Sequence, residues 1–313
     1  MARGGQKKGE NGFAMIAVLL VLALVGLLGA EFAYSMRLEA RAARNYKDTL
    51  TAGHLAEAAV ETALREIVGQ GALAAEADDG LLTFYTRGGV ALKRLPREAV
   101  PLGDGTYSYR ITDEAARLNV NTTPAARLDR LLQLMDVEKQ ERDVIIGSIE
   151  DWRDDNDEHR ANGAESDDYY LKLPVPYRAR NGDLESITEL LQIRGITPAL
   201  FHGGAERPGL VDLLTVVGGG QVNINTASKA VLMALGLSDA EILEIQATRR
   251  ELPYAAVPGR FTGHGLVATT QIYRIEALGI LNEKPRARLT VVLEVSSDPN
   301  IAAMRILSWS GIR

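Results

Sequence analysis

The chain opens its folded pattern with "FAMIAVLLVLALVGLLGA", Phe13 to Ala30, a run with no charged residue. As a helix these residues span about 27 Å, close to the hydrocarbon core of a bilayer. From Leu38 the pattern becomes a stripe. Ala42, Tyr46, Thr49, Gly53, Ala56, Val60, Ala63 and Ile67 recur at steps of three and four, which is one helical face. The opposite face carries Arg37, Glu39, Arg41, Arg44, Lys47 and Glu61. No proline interrupts Phe13 to Val68. One continuous helix of about 84 Å is expected, half in membrane and half outside. Its outer stripe is mostly small, which lets a sheet or another helix approach closely.

Beyond the helix the period changes. "LLTFYT" (81–86) and "TYSYRIT" (106–112) read as strands bounded by turn residues. Helical patterns dominate from Pro124 to Arg250. Strand patterns return in "QIYRIEALGIL" (271–281), "ARLTVVLEVS" (287–296) and "MRILSWS" (304–310), with "NEKPR" as a hairpin connection between the first two. Strands, then helices, then strands predict one antiparallel sheet with a large helical insertion, the long helix covering one sheet face.

The insertion repeats itself. In "LNVNTTPAARLDRLLQL" and "VNINTASKAVLMALGL", Asn119, Asn121 and Thr122 match Asn223, Asn225 and Thr226 at a constant offset, as Leu128 and Leu131 match Leu232 and Leu235. Each Asn-x-Asn-Thr turn precedes a helix. Thr123 is expected to cap the first, with Pro124 in its first turn, and Thr226 or Ser228 the second. Such subdomains are similar to helix-hairpin-helix DNA-binding modules. Those present backbone N–H groups and basic surface to phosphate. Here the hairpin "LGLSDAE" places Asp239 and Glu241 there instead.

Charge supports that exclusion. The chain has 313 residues and a formal net charge of −6. The first twelve residues hold Arg3, Lys7 and Lys8 against Glu10, a net +2, which leaves −8 on the rest. An acidic body is a poor match to a phosphate backbone, so no nucleic-acid partner is expected. The basic leader favours a cytoplasmic N-terminus and an exported body. With no cysteine there is neither disulfide nor thiolate chemistry, and stability must come from the core or from a metal.

One segment offers a metal site. "IEDWRDDNDEHRANGAESDDYY" (149–170) holds nine carboxylates with two arginines and one histidine. Hard cations such as calcium take several oxygen ligands. Asp154, Asn156, Glu158 and Glu165 fall at positions 1, 3, 5 and 12 of an EF-hand loop, but His159 stands where the turn glycine belongs, so the segment is not an EF-hand. With Asp168 these residues form the candidate ligand set for a structural calcium ion. Trp152, Tyr169 and Tyr170 argue for an ordered loop rather than a solvated tail. Catalytic patterns are missing: the four histidines are scattered, no phosphate loop occurs, and "SWSG" lacks the leading glycine of a nucleophile elbow. The chain is not expected to be an enzyme.

The Gly12–Phe13 junction before a long apolar helix resembles the type IV pilin-like proteins. In that family a prepilin peptidase cuts after the glycine and methylates the new N-terminus. Most such subunits carry glutamate at the fifth mature position, where this chain has Ala17, a departure that suits a subunit at a filament end. Together with "RLNVNT", "VNINTAS" and "DWRDDND…GAESDDYY", in that order, the chain resembles the K-type minor pseudopilins of the type II secretion system, the general secretion pathway protein K family. The resemblance implies an α+β pilin-like fold: a long N-terminal helix on an antiparallel sheet, with a large all-α insertion of two SAM-like, helix-hairpin-helix-like subdomains. It implies calcium binding, and assembly with I-type and J-type minor pseudopilins and other pseudopilins of the filament. It places the chain in the inner membrane as a single-pass protein with a periplasmic body, at the tip of a filament that exports folded proteins across the outer membrane. The alternatives are a membrane-tethered DNA-binding protein of the DNA-uptake type and a minor pilin of a surface type IV pilus.

The expected organisation is a leader at 1–12, the transmembrane and pilin helix at 13–68 and the first part of the sheet at 69–112. A first helical subdomain with the acidic loop follows at 113–215, a second at 216–268 and the last strands at 269–313.

Overall fold

A computed structural model describes residues 10–68, 73–77, 79–204, 207–296 and 304–311. The first element, α1, runs unbroken from Glu10 to Val68, about 88 Å of helix. It ends where expected and begins one turn earlier. The small β1 (Leu73–Glu76) and β2 (Leu82–Tyr85) form a separate hairpin, and β3 (Val100–Leu102) leads into β4 (Gly105–Asp113). The insertion holds β5 (Leu118–Asn119), α2 (Ala125–Leu134), α3 (Lys139–Arg153), α4 (Pro198–His202), α5 (Leu210–Leu213), β6 (Leu214–Thr215), β7 (Val222–Asn223), α6 (Lys229–Ala234), α7 (Asp239–Glu251) and β8 (Leu266–Val267). The chain then returns to the sheet as β9 (Ile272–Leu281), β10 (Lys284–Val295) and β11 (Met304–Ser310).

The main sheet has the order β11-β10-β9-β4-β3 and every pairing in it is antiparallel. The β9–β10 turn is the pair Asn282–Glu283, both at positive φ, as a two-residue hairpin with the right strand twist requires. Short strands β1 and β3 were not legible in the sequence. The insertion is helical apart from two short parallel strand pairs, β5 with β6 and β7 with β8.

α1 lies over β4, β9 and β10. Ala52, Ala56, Ala59, Val60, Ala63 and Ile67 pack on Tyr109, Ile111, Ile275, Ala277, Leu289, Val291 and Leu293. Only the end of the expected stripe is covered. Leu38, Ala42, Tyr46 and Thr49 face solvent. The reason is length: a ten-residue strand such as β9 spans about 33 Å, far less than the helix. The small residues permit backbone contact. A Cβ added at Gly279 on β9 would sit 1.8 Å from the carbonyl oxygen of Ala52. A buried ion pair closes the same interface, Arg97 donating through Nε and Nη2 to Glu66 at 3.1 and 2.6 Å, with the Tyr109 hydroxyl donating to Glu66 at 2.9 Å.

Three contacts fix direction along the sheet. Gly279 meets Ala52, the Thr62 and Tyr107 hydroxyls are 3.1 Å apart, and Glu66 meets Tyr109. β4 therefore runs with α1, away from the apolar segment. The insertion leaves at Asp113 and returns beside it, since Asp113 pairs with Tyr273. It stands on the end of the sheet farthest from Phe13 to Ala30.

The repeat is a structural duplication. Asn121 brackets Leu184 and Val216 by hydrogen bonds, as Asn225 brackets Tyr254 and Ala268. Arg153 donates to the carbonyls of Val120 and Thr123, and Arg249 to those of Ile224 and Ala227. α2 packs on α6, and the buried residues of both units belong to one core. The capping meets expectation in the second unit and differs in the first. Ser228 caps α6, whereas Thr123 donates to the Asn119 carbonyl and leaves α2 without a side-chain cap. Thr226 donates to Asp113 instead.

The contact at Gly279 carries a prediction. Gly279→Ala forces α1 away from β9 and should cost about 1–3 kcal/mol in urea unfolding, whereas Ala42→Ser on the uncovered stripe should cost almost nothing.

Candidate metal centre

Residues 1–9 of the expected leader lie outside the described residues. Gly12 and Phe13 fall in the first turns of α1. Phe13 to Ala30, Ala17 included, stands clear of the folded body. Among the described residues it is the stretch long and apolar enough to cross a membrane.

The acidic segment is built on α3. In the second unit the chain passes tightly from Arg249 to Tyr254. In the first, the equivalent anchors Arg153 and Leu184 are separated by the whole acidic segment, so this segment is an excursion from the repeated unit. Aromatic side chains hold it. Trp152 meets Tyr170 edge-on at 5.2 Å, and Tyr170 meets Tyr169 and Tyr177 at the same centroid distance. Arg194 lies over the Tyr169 ring and donates to the Gly163 carbonyl at 3.0 Å. The loop is ordered by burial, as three aromatics in its sequence indicated.

At its centre is Asp151, with a fully buried side chain that sequence reasoning passed over. Its position on the inner face of α3 was the available signal. The backbone N–H of Arg160 donates to both its oxygens, at 3.3 and 3.2 Å. Gly163 crosses so closely that a Cβ there would lie 1.8 Å from Asp151 Oδ2. The Arg160 guanidinium donates to Asp151 at 2.7 Å and Asp154 at 2.6 Å, and its Nε sits 3.2 Å from Glu150.

Of the expected ligands, Asp154 and Glu165 belong to this centre. Glu165 is 2% exposed and neither carboxylate oxygen has a hydrogen-bond partner. Asp154 Oδ1 and the Asn181 side-chain oxygen are also buried and unpartnered. Asn181, at φ 51° and bonded through its amide nitrogen to Asp157 and the Asn156 carbonyl, was not anticipated. The remaining three go elsewhere. The Asn156 side-chain oxygen accepts the Glu158 N–H, Glu158 is exposed, and Asp168 Oδ1 accepts the Glu165 N–H. The linear EF-hand spacing therefore does not describe the arrangement, because the chain doubles back at Gly163 instead of winding round one centre. No three His, Asp or Glu side chains among the described residues converge as a ready metal cage. The orphaned atoms of Asp154, Glu165 and Asn181 are nonetheless oxygens, from two carboxylates and an amide, and that donor set fits a hard divalent cation.

The helix-hairpin termini are filled otherwise. Ser238 and Glu241 form a reciprocal cap at the start of α7, so the protein's own carboxylate lies at the N–H groups where a phosphate would bind.

Comparison with known proteins bears on this frame. A family profile described as type II secretion system protein K matches residues 108–203, from β4 through the acidic segment. Type II secretion system protein K of Pseudomonas aeruginosa is 28% identical, over 73% of this chain and 69% of that one. The Klebsiella pneumoniae protein of the same name is 26% identical, over 76% and 73%. Over these spans the chain is similar to type II secretion system protein K. Its fold agrees with a chain in the crystal structure of the GspK–GspI–GspJ complex of enterotoxigenic Escherichia coli, at a TM-score of 0.61 with 18% identity, covering 87% of this chain and 98% of that one. By length and composition α1 is able to anchor such a chain in a membrane.

Burial, then the charges of Asp151, Asp154 and Asp157, push the Glu165 carboxyl up to about 7 from its ordinary 4.5. Below the ordinary value both folded and unfolded chains hold this proton. Between the two values only the folded chain does, so its contribution to stability is lost as pH rises through about 7. In chelator, urea midpoints should fall from pH 5 to pH 7.5, and Glu165→Gln should flatten that slope.

Proposed function

We propose that this chain is the terminal subunit of a periplasmic pseudopilus anchored in the inner membrane, partnered by I-type and J-type minor pseudopilins and other subunits of the filament, and that it supports export of folded proteins across the outer membrane. The observation that carries this is the position of the insertion. It stands on the sheet end farthest from the membrane segment, where the next subunit of a growing filament would otherwise sit. Ala17 supports the same reading. A carboxylate there would be costly in the membrane without the amine of a neighbouring subunit, and alanine removes that requirement. Leu38, Tyr46 and Leu50 on the uncovered part of α1, and Ile306 and Trp309 on edge strand β11, are exposed apolar groups suited to such contacts. A prepilin peptidase is the processing partner, with cleavage between Gly12 and Phe13.

The full chain, coexpressed with its cognate I- and J-type subunits and peptidase, should copurify with both. Its intact mass should correspond to a methylated chain beginning at Phe13. Absence of copurification overturns the assembly, and a retained leader overturns the processing.

A structural calcium ion belongs to the same reading. Asp154, Glu165 and Asn181 would hold it, with Asp151 and Asp157 adjacent. The ion would supply positive charge that ties the end of α3 to the returning loop. Calcium at about a hundredfold above its dissociation constant should raise the melting temperature by roughly 5 °C over chelator. Glu165→Gln should abolish most of the increase, and a wild-type melting curve unmoved by calcium refutes the site.

A further inference from the structure

We infer that Arg160 is the internal counter-ion of the acidic centre, and that it releases Asp154 when a divalent cation binds, so that this one side chain sets the affinity of the site. The inference rests on the calcium reading above. Its basis is the shape of the cluster. Three carboxylates, Glu150, Asp151 and Asp154, surround one guanidinium, with contacts of 3.2, 2.7 and 2.6 Å. They are arranged about a planar fork rather than a point. That arrangement accounts for the lack of a converged cage beside so many acidic oxygens. The Glu165 oxygens and Asp154 Oδ1 accept no hydrogen bond from the fork or from any other donor.

Arg160 can leave without breaking the fold. Its side chain is 44% exposed, so its charge reaches water by rotation about its own bonds. Asp151 cannot move in exchange, because its side chain is fully buried and Gly163 is packed against it. The Arg160 backbone N–H keeps its two bonds to Asp151 whatever side chain stands at 160. The loop thus has an anchor that persists and a side-chain clamp that can be exchanged. The clamp holds three negative charges together when no metal is present. A cation meets Asp154 Oδ1 unpartnered, but bidentate ligation, by which calcium fills its six to eight oxygen positions, also needs Oδ2, which the clamp holds. The two bind competitively, and the free energy of the Arg160–Asp154 contact is subtracted from that of the metal.

The test uses the full chain in detergent, titrated with calcium chloride by calorimetry and by fluorescence of the buried Trp152 beside the loop. Arg160→Gln should bind calcium about tenfold more tightly than wild type, the effect of no longer breaking a charge-assisted hydrogen bond. It should also melt at a lower temperature in chelator. Arg160→Lys keeps the charge but cannot bridge three carboxylates, so it too should bind more tightly than wild type. A lysine variant equal to wild type would mean that Arg160 acts only through long-range charge, and the inference fails. Unchanged or weaker affinity in Arg160→Gln also overturns it. If the wild-type chain itself binds no calcium, the calcium reading falls and this inference with it. The wild-type titration therefore separates the two failures.

Discussion

Asp113 sits where the insertion leaves β4, and half of the chain is oriented by what its carboxylate accepts. One oxygen takes the Ala115 N–H at 2.8 Å, and the other takes the Asn223 amide at 2.8 Å and the Thr226 hydroxyl at 2.6 Å. Asn223 and Thr226 belong to the second repeat, more than a hundred residues along the chain. Burial pushes the Asp113 carboxyl above the ordinary range, and these donors oppose that shift. Beside it, Glu114 is buried against Arg274 of β9 and within 3.4 Å of Arg117, which donates to the Asp212 carbonyl. The joint between pilin-like sheet and helical insertion is therefore polar and buried. A joint of this kind tolerates little rotation, because any rotation leaves a buried donor or acceptor unpaired.

That rigidity links the two ends of the molecule. α1 is fixed to the sheet by backbone contact at Gly279 and by the Glu66–Arg97 pair, and the sheet is fixed to the insertion at Asp113. The repeated units then share one hydrophobic core, so they behave as one mass on top of the sheet. The filament-end role proposed above would draw on this stiffness, since a mass on a flexible joint would yield to an arriving subunit.

The acidic centre follows the same economy of polar groups. Elsewhere in the insertion buried amides and guanidinia meet carbonyls, as Asn121, Asn225, Arg153 and Arg249 do. Around Glu165 acceptors outnumber donors, which is the sense in which the first repeat differs from the second. The excursion between Arg153 and Leu184 brings negative charge back to the end of α3, where Arg160 is the guanidinium that meets Asp151 and Asp154.

Local physics made much of this legible in advance. An uncharged run followed by a three-four stripe admits one long helix, and alternating β-branched residues between turn signals admit strands, because both patterns depend on near neighbours. The Asn-x-Asn-Thr duplication and the acidic segment were visible for the same reason. Which carboxylates meet was not. Asn156, Glu158 and Asp168 satisfy turns a few residues away, while Asp151 and Asn181, thirty residues apart, come to the centre because Gly163 lets the loop return onto α3. Likewise the sequence showed a stripe on α1 but not that the sheet would reach only its last third, since coverage depends on the length of strands far along the chain. Periodicity is a property of neighbours and the chain carries it openly. Burial and charge balance are properties of contacts between distant segments, and only the folded arrangement decides them.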